Sequence, residues 1–546
     1  MSLNVIDFVI FGGYILMIVG MGLYVSRKKE GQEKNSADYF LASKALPWWA
    51  IGSSLIAANI SAEQFIGMSG SGFAIGLAIA SYEWMAALTL IIVAKFFLPI
   101  FIKKKLYTIP EFIEQRFSTN LKTILAVFWV ALFIFVNLTS VLFLGGKALD
   151  TIIGNGDGSL IFPAIIGLGL IAAAYSLYGG LSAVAWTDVV QVILLIGGGL
   201  LTTFIALNSV TPNGGTFAGF SHIYHVAHDK FHMILTRNNP EYFNLPGITV
   251  LIGGMWVANI YYWGFNQYII QRALAAKSLT EAQRGLAFAA FLKIIIPLLV
   301  VIPGIIVYVL YMQPEGTTII PGIKEAFTSS GGGINYDKAY PWLISKFIPV
   351  GAKGLVVAAL TAAIVSSLAS MLNSTSTIFT MDIYKPYFAK KNISESNVVK
   401  VGRISAGIAL VIAIFIAPVL GNIPQMFQYI QEYTGLVSPG ILAVFLMGIF
   451  WKKTTNKSAI VGVLSSIVVA LLLKASIVDL PFLDQMFYTL IITIVIIMGV
   501  SLTTSDNVED PKGIDLTAKI FKTDSVFNVS AYVLLIILAF LYTVFW

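Results

Sequence analysis

Apolar runs of about 20 residues or more recur along the whole chain, separated by short polar connections. Each is long enough to cross a hydrocarbon core about 30 Å thick as a helix. The pattern predicts fourteen membrane-spanning helices, near residues 6–26, 47–72, 75–102, 122–147, 159–178, 184–209, 248–271, 286–312, 350–383, 401–420, 424–450, 458–478, 485–503 and 527–546. No polar stretch is long enough to build a separate soluble domain. The expected architecture is therefore an all-α polytopic membrane protein, with residues 1–546 forming one transmembrane unit.

Charge sets the expected orientation. Met1 to Val5 contains no Lys or Arg, whereas Arg27, Lys28 and Lys29 follow the first span. That order reads as a retained helix with its N-terminus outside, rather than a cleaved signal peptide. With both termini outside, the cytoplasmic connections and adjoining span ends hold 24 of the 34 Lys and Arg, and the outside ones hold 7. This follows the positive-inside rule, and the reversed topology violates it. The 546 residues are 57% hydrophobic and 11% charged, against about 25% charged in a soluble domain. The net charge of +7 is spread over short loops beside apolar spans, so it reports orientation and does not indicate nucleic-acid binding. There is no cysteine, which excludes disulfides and thiolate metal sites. Two outside connections are long, 210–247 with "TPNGG" and 313–349 with "SSGGGINYDKAYP". The inside loop 504–526 reads as a solvated connector.

Two spans interrupt the apolar pattern. The second carries "SLIAANISAEQFIG", placing Asn59, Ser61, Glu63 and Gln64 within six positions. The seventh carries "NIYYWGFNQY", with Asn259, Gly264, Asn266 and Gln267. Polar groups at such depth face a protein interior or a water-filled cavity. The two spans are five apart and so run in opposite directions. Interrupted helices at matching positions of inverted repeats point to a midplane binding site.

Gln64, Glu83, Asn259, Lys293 and Gln431 are the in-span polar groups that stand out. Pairing Glu83 with Lys293 eases the desolvation of both. Together with three amides they offer donors and acceptors in near-equal measure, which suits a neutral polyhydroxylated ligand. Tyr261, Tyr262 and Trp263 add flat faces for the C–H side of a sugar ring. A plainer reading makes Glu83–Lys293 a helix-joining ion pair. In "LTAAIVSSLASMLNS", Ser366 and Ser367 lie three and four positions after Ala363, so both hydroxyls fall on one face beside that residue's carbonyl. An unwound stretch near Ala57 to Ile60 adds backbone carbonyls, and a hard alkali cation takes such oxygens. The alternative is that the serines bond their own helix.

"IAANISAEQFIGMSGSG", "ASYEWM", "YGGLSAVAWTD", "ANIYYWGFNQYIIQR", "AAIVSSLASMLNST" and "FQYIQEYTGLVSPGILAVFLMGIFWKKTT" resemble the sodium:solute symporter family, closest to its bacterial sodium/galactose and sodium/glucose-type members. The resemblance implies a leucine-transporter-type core of two inverted five-helix repeats with discontinuous helices, about 47–209 and 248–450. Helices 6–26, 458–478, 485–503 and 527–546 flank it. It implies sodium-coupled symport of a hexose by alternating access in the cell membrane, with sodium co-transported. Carried over by motif, Asn59, Gln64, Glu83, Asn259, Lys293 and Gln431 hold the sugar, and Tyr262 closes beneath it beside Trp263. The carbonyls of Ala57, Ile60 and Ala363 and the hydroxyls of Ser366 and Ser367 bind sodium. The galactose pattern has "EWMS" where this chain reads "EWMA", so Ala86 lacks a hydroxyl near the sugar. Relatives using a second sodium carry a serine where this chain has Ala369, which favours one sodium per sugar, although Ser370 and Asp188 lie close in sequence or pattern.

Other readings stay open at this point. The neutral solute can be another polyol such as inositol, and a sugar sensor or channel needs similar residues. A sugar-processing enzyme would use Glu63 and Glu83 as a carboxylate pair. His222, His225, His228 and His232, the only histidines, share one outside loop, where they form a solvated lid face or a metal tract. Oligomeric state is not legible.

Overall fold

The computed structural model describes residues 3–25, 27, 35–154, 156–211, 214–313, 320–328, 332–389, 393–421, 423, 425–476, 479–504 and 508–546. Lys28, Lys29, Pro212, Asn213, Ser329 to Gly331, Pro424, Ile477, Val478 and Ser505 to Asn507, all assigned above to connections or span ends, lie outside the described residues. Among the described residues every regular element is helical, apart from two isolated bridging pairs.

Eleven helices are long and apolar enough to cross a membrane. They coincide with eleven of the predicted spans and differ chiefly at their ends. Three begin well before the apolar run because a serine caps them. Ser118, Ser278 and Ser394 accept hydrogen bonds from the backbone of Leu121, Glu281 and Asn397. Hydropathy marks where a helix enters hydrocarbon, whereas the cap marks where the helix starts. Met426–Gly435 and Ser438–Phe450 form a further candidate span, bent by 47°.

The two remaining predicted spans, 47–72 and 248–271, are broken. Trp48–Asn59 ends where Ile60 turns extended (φ −78°, ψ 100°), and the chain resumes as a π-helical segment, Glu63–Met68, followed by Ser69–Ala74. Gly254–Ile260 and a second π-helical segment, Tyr261–Phe265, end at Asn266 (φ −86°, ψ 120°), beyond which Gln267–Leu274 continues. The expected unwinding at Ala57 to Ile60 thus falls slightly later, at Ile60 and Ser61. Helical bonding persists through the Ile60 N–H, which donates to the Ile56 carbonyl at 2.8 Å.

The 33-residue helix Leu279–Tyr311 lies along both halves of the first broken segment. Glycines set how closely it approaches. A Cβ on Gly285 would sit 3.0 Å from the Trp48 carbonyl oxygen, and one on Gly304 would sit 2.1 Å from that of Ser69. These two contacts are about 28 Å apart along the helix. Lys293 lies between them and so meets the discontinuity. A methyl group at Gly304 has only rigid backbone to displace. Gly304→Ala is expected to cost about 1–3 kcal/mol, seen as a lower unfolding temperature of the detergent-purified protein. Gly407→Ala, which meets nothing within 4 Å, should leave that temperature unchanged or higher. Equal melting of the two variants would contradict this packing.

Candidate substrate and ion sites

At the first break, side chains replace helical hydrogen bonds. The Ser61 N–H donates to Gln64 Oε1 (2.9 Å) and the Glu63 N–H to Ser61 Oγ (3.0 Å). In a continuous helix those amides would return to the carbonyls of Ala57 and Asn59. Diverting them frees carbonyl oxygens deep in the protein, where unsatisfied backbone is tolerated only if it lines a cavity or finds protein partners. Ser367 Oγ supplies one partner, 2.9 Å from the Ala58 carbonyl and 3.5 Å from that of Ala57.

On the other side of the break lies a polar-lined cavity. All eight residues assigned to the solute from the sequence line it: Asn59, Gln64, Glu83, Asn259, Tyr262, Trp263, Lys293 and Gln431. The Lys293 ammonium donates to both Glu83 Oε2 and Asn59 Oδ1 and sits 5.0 Å from the Trp263 ring centre. Asn59 Nδ2 donates to the Tyr262 hydroxyl (2.9 Å), which shares a 2.6 Å hydrogen bond with the Tyr268 hydroxyl. Tyr262 and Trp263 meet edge to face at 5.2 Å. Asn259 Nδ2 is used by the Met255 carbonyl, which leaves its Oδ1 as an acceptor. With Oε1 committed to Ser61, Gln64 has its NH₂ group left to offer. Ala86 also lines the cavity.

Further polar residues line the cavity, of which Glu63 belongs to the expected polar run at the break whereas Tyr82 and Ser438 escaped the sequence reading. Glu63, Tyr82 and Ser438 line it, and each carries a buried oxygen without a hydrogen-bond partner among the described residues. Such orphaned atoms are rare in folded interiors and are what a hydroxyl-rich ligand would satisfy. Nothing in the local sequence separates Tyr82 or Ser438 from ordinary helix-packing residues.

The five residues assigned to the cation are all buried in one region, but they are not equivalent. Ser367 and Ala57 touch directly. Ser366 Oγ instead donates to Asp188 Oδ1 (2.5 Å). Ile60 lies at the break, and Ala363 sits one turn before the serine pair with no side-chain hydrogen-bonding group of its own. Beside them is a wholly buried network that the sequence did not reveal. Asp188 Oδ2 accepts from Ser54 Oγ (2.5 Å) and pairs with Arg272 at 3.4 Å. Arg272 also donates to the Ser54 carbonyl (3.1 Å), the Tyr268 carbonyl and Ser370 Oγ. Ser370 Oγ in turn donates to the Ser366 carbonyl (2.7 Å). Asp188 and Ser370 therefore already serve a fixed cation, the guanidinium.

A loop covers the outer half of the first broken segment. Asp337 Oδ2 accepts from the Met426 N–H (3.2 Å), at the start of the helix bearing Gln431. A Cβ on Gly70 would lie 2.9 Å from Asp337 Oδ1. Burial pushes the Asp337 carboxyl up to about 7, against the lowering pull of Lys147 and the Met426 amide. Farther out, His225, His228 and His232 are exposed, and His232 Nδ1 donates to the Trp546 carbonyl oxygen (2.8 Å). Among the described residues no three His, Asp or Glu side chains come together as a metal site.

Two outcomes test this geometry. Lys293→Ala strands Glu83 in a buried site and should cost about 3–5 kcal/mol, whereas Lys293→Met with Glu83→Gln should recover most of that stability. Thermal unfolding of the single and double variants decides it, and a double variant no more stable than the single contradicts the pairing. For Asp337, a carboxyl raised on folding contributes stability that is full below about pH 4 and lost as pH rises through about 7. Asp337→Asn keeps an acceptor for Met426, so it should melt above the native chain at about pH 8 and lose that advantage near pH 4. A difference independent of pH would contradict it.

Residues 39–466 match the sodium:solute symporter family. The chain is 61% identical to a sodium/glucose cotransporter of Vibrio parahaemolyticus, over 100% of this chain and 99% of that one. It is 33% identical to sodium/myo-inositol cotransporter 2 of Mus musculus, over 86% and 70% of the two chains. The fold is similar to that of a substrate-bound, outward-open Na⁺-coupled sialic acid symporter, with a TM-score of 0.77, 26% identity and coverage of 92% of this chain and 98% of that one. A cavity of unsatisfied polar groups beside a broken helix, together with a family match over most of the chain, leads to one conclusion: this protein belongs to the sodium:solute symporter family.

Proposed function

We propose that the chain carries a neutral hexose of the glucose or galactose type into the cell together with sodium, by alternating access. The observation that carries this reading is the double use of one helix break. Its freed carbonyls meet the Ser367 hydroxyl on one side, while Asn59 and Gln64 enter the polar cavity on the other. Full-length identity of 61% to a sodium/glucose cotransporter supports the same solute class. In this reading the sugar is held by Asn59, Gln64, Glu83, Asn259, Lys293 and Gln431, with Tyr262 closing beneath it. Sodium is held by carbonyls of Ala57, Ile60 and Ala363 and hydroxyls of Ser366 and Ser367. Because Arg272 already occupies Asp188 and Ser370, one sodium per sugar is favoured. In this reading the eleven helices, the bent pair and the two broken segments make fourteen crossings, arranged as two inverted five-helix repeats with flanking helices. The Lys and Arg distribution supports termini outside the cytoplasm.

The energetics suffice. One inward charge gains about 2.3 kcal/mol per 100 mV. A tenfold sodium gradient adds about 1.4 kcal/mol, and the sum supports roughly 500-fold accumulation. Coupling is reciprocal: whatever sodium adds to sugar affinity, sugar adds to sodium affinity. A second reading, transport of a neutral cyclic polyol such as inositol, is supported by the 33% identity to a sodium/myo-inositol cotransporter, while Ala86 leaves the preferred hexose open.

Purified protein in liposomes should accumulate labelled glucose or galactose, unaltered, against its gradient when sodium is imposed outside. Accumulation without sodium, equilibration only, or chemical conversion would point to another transporter, a channel or an enzyme. Ser367→Ala should raise the sodium concentration needed for half-maximal uptake at least tenfold while unfolding near the native temperature. Native sodium dependence in that variant removes the ion site.

A further inference from the structure

One cavity carboxylate is used by neither the ion pair nor the helix break. Glu63 is 7% exposed and lines the cavity, and its Oε1 has no hydrogen-bond partner among the described residues. Its backbone amide is committed to Ser61, so the break depends on its main chain and not on its carboxylate. The other cavity carboxylate, Glu83, is matched by Lys293. The nearest other ion pair, Asp188 with Arg272, neutralises itself. The remaining polar lining is amide, hydroxyl and indole, and none of it is charged. The cavity wall therefore holds two carboxyl groups against one ammonium.

We propose that Glu63 sets the charge preference of the sugar site. Its carboxylate accepts a hydroxyl or ammonium hydrogen of the bound hexose, admitting neutral and amino sugars and rejecting hexuronates. The inference rests on the reading of this cavity as the sugar site. Its physical basis is the unmatched charge. An incoming ammonium gains from an ionised Glu63, whereas an incoming carboxylate is repelled by it or holds it protonated. At about 5 Å and an effective dielectric near 20, such an interaction alters affinity on the order of a hundredfold. A neutral hexose sits between the two and gains a charge-assisted hydrogen bond. Glu83 cannot discriminate in this way, because its charge is spent on Lys293.

The test is competition against sodium-driven uptake of labelled glucose into liposomes at saturating sodium and about pH 7, where an alkyl amine is protonated. Unlabelled glucosamine and glucuronate are the competitors, and the native chain, Glu63→Gln and Glu63→Asp are compared. Glucosamine should compete with the native chain at least about a hundredfold better than glucuronate. Glu63→Gln should shrink that ratio tenfold or more, through gain of glucuronate and loss of glucosamine, while Glu63→Asp keeps the native order. Equal competition by the two sugars in the native chain overturns the proposal. So does an unchanged ratio in Glu63→Gln, or a change confined to sodium dependence, which would make Glu63 a partner of the ion instead. Should Glu63→Gln transport nothing, displacement of labelled glucose from detergent-purified protein gives the same ratio. Absence of sodium-driven glucose uptake by the native chain is a different result, which removes the proposed function and not the charge preference alone.

Discussion

Three backbone groups that cannot complete a helix organise this protein. Inside a bilayer each such group must find a partner within the protein. Between Ala57 and Glu63 the amides find theirs in Gln64 and Ser61, and a carbonyl finds its own in Ser367 on a distant helix. The polar run that looks misplaced in an apolar segment is what makes the interruption affordable. Once the interruption exists, carbonyl oxygens and side-chain amides emerge within a few residues of one another, on opposite sides of one strand of extended backbone. The oxygen-rich pocket proposed for the cation and the polar cavity are then adjacent by construction.

That adjacency is held by packing that glycine permits. Leu279–Tyr311 approaches both halves of the broken segment closely enough to touch backbone, and Lys293 meets the gap between them. From Lys293 a continuous series of contacts runs through Asn59 and Tyr262 to the Tyr268 hydroxyl. The Tyr268 backbone then joins Arg272, Asp188 and Ser366, next to Ser367. The cavity and the oxygen pocket thus share both a backbone hinge and a hydrogen-bonded wall. A ligand on either side that favours one arrangement of this shared structure favours it for the other ligand too, which is the physical content of coupling.

Several elements were legible because they depend on local rules. Hydropathy located eleven continuous crossings, and it failed to locate their ends where Ser118, Ser278 and Ser394 extend a helix into polar sequence. Six of the eight cavity residues were legible because each is a polar group at a depth where solvent cannot satisfy it, whereas Tyr262 and Trp263 were named for their flat faces and by the family resemblance. Gln64 shows the limit of that logic. Its depth marked it as a solute ligand, whereas its carbonyl oxygen is taken by the Ser61 amide, and only its amide nitrogen is left for the cavity.

The sequence by itself determined where the chain crosses the membrane and which crossings are interrupted, because period, polarity and punctuation act over a few residues. It also determined the kind of chemistry available, since amides, one ion pair and serine hydroxyls can be counted along the chain. Only the tertiary structure decided which groups remain free. Arg272 and Asp188 are 84 residues apart yet consume each other and Ser54. Asp337 caps a helix 89 residues away. Glu63 and Glu83 look alike in sequence, yet Glu83 finds its ammonium 210 residues along and Glu63 finds none among the described residues. Whether a buried charge is matched depends on through-space neighbours brought together by packing, and sequence spacing carries no record of them.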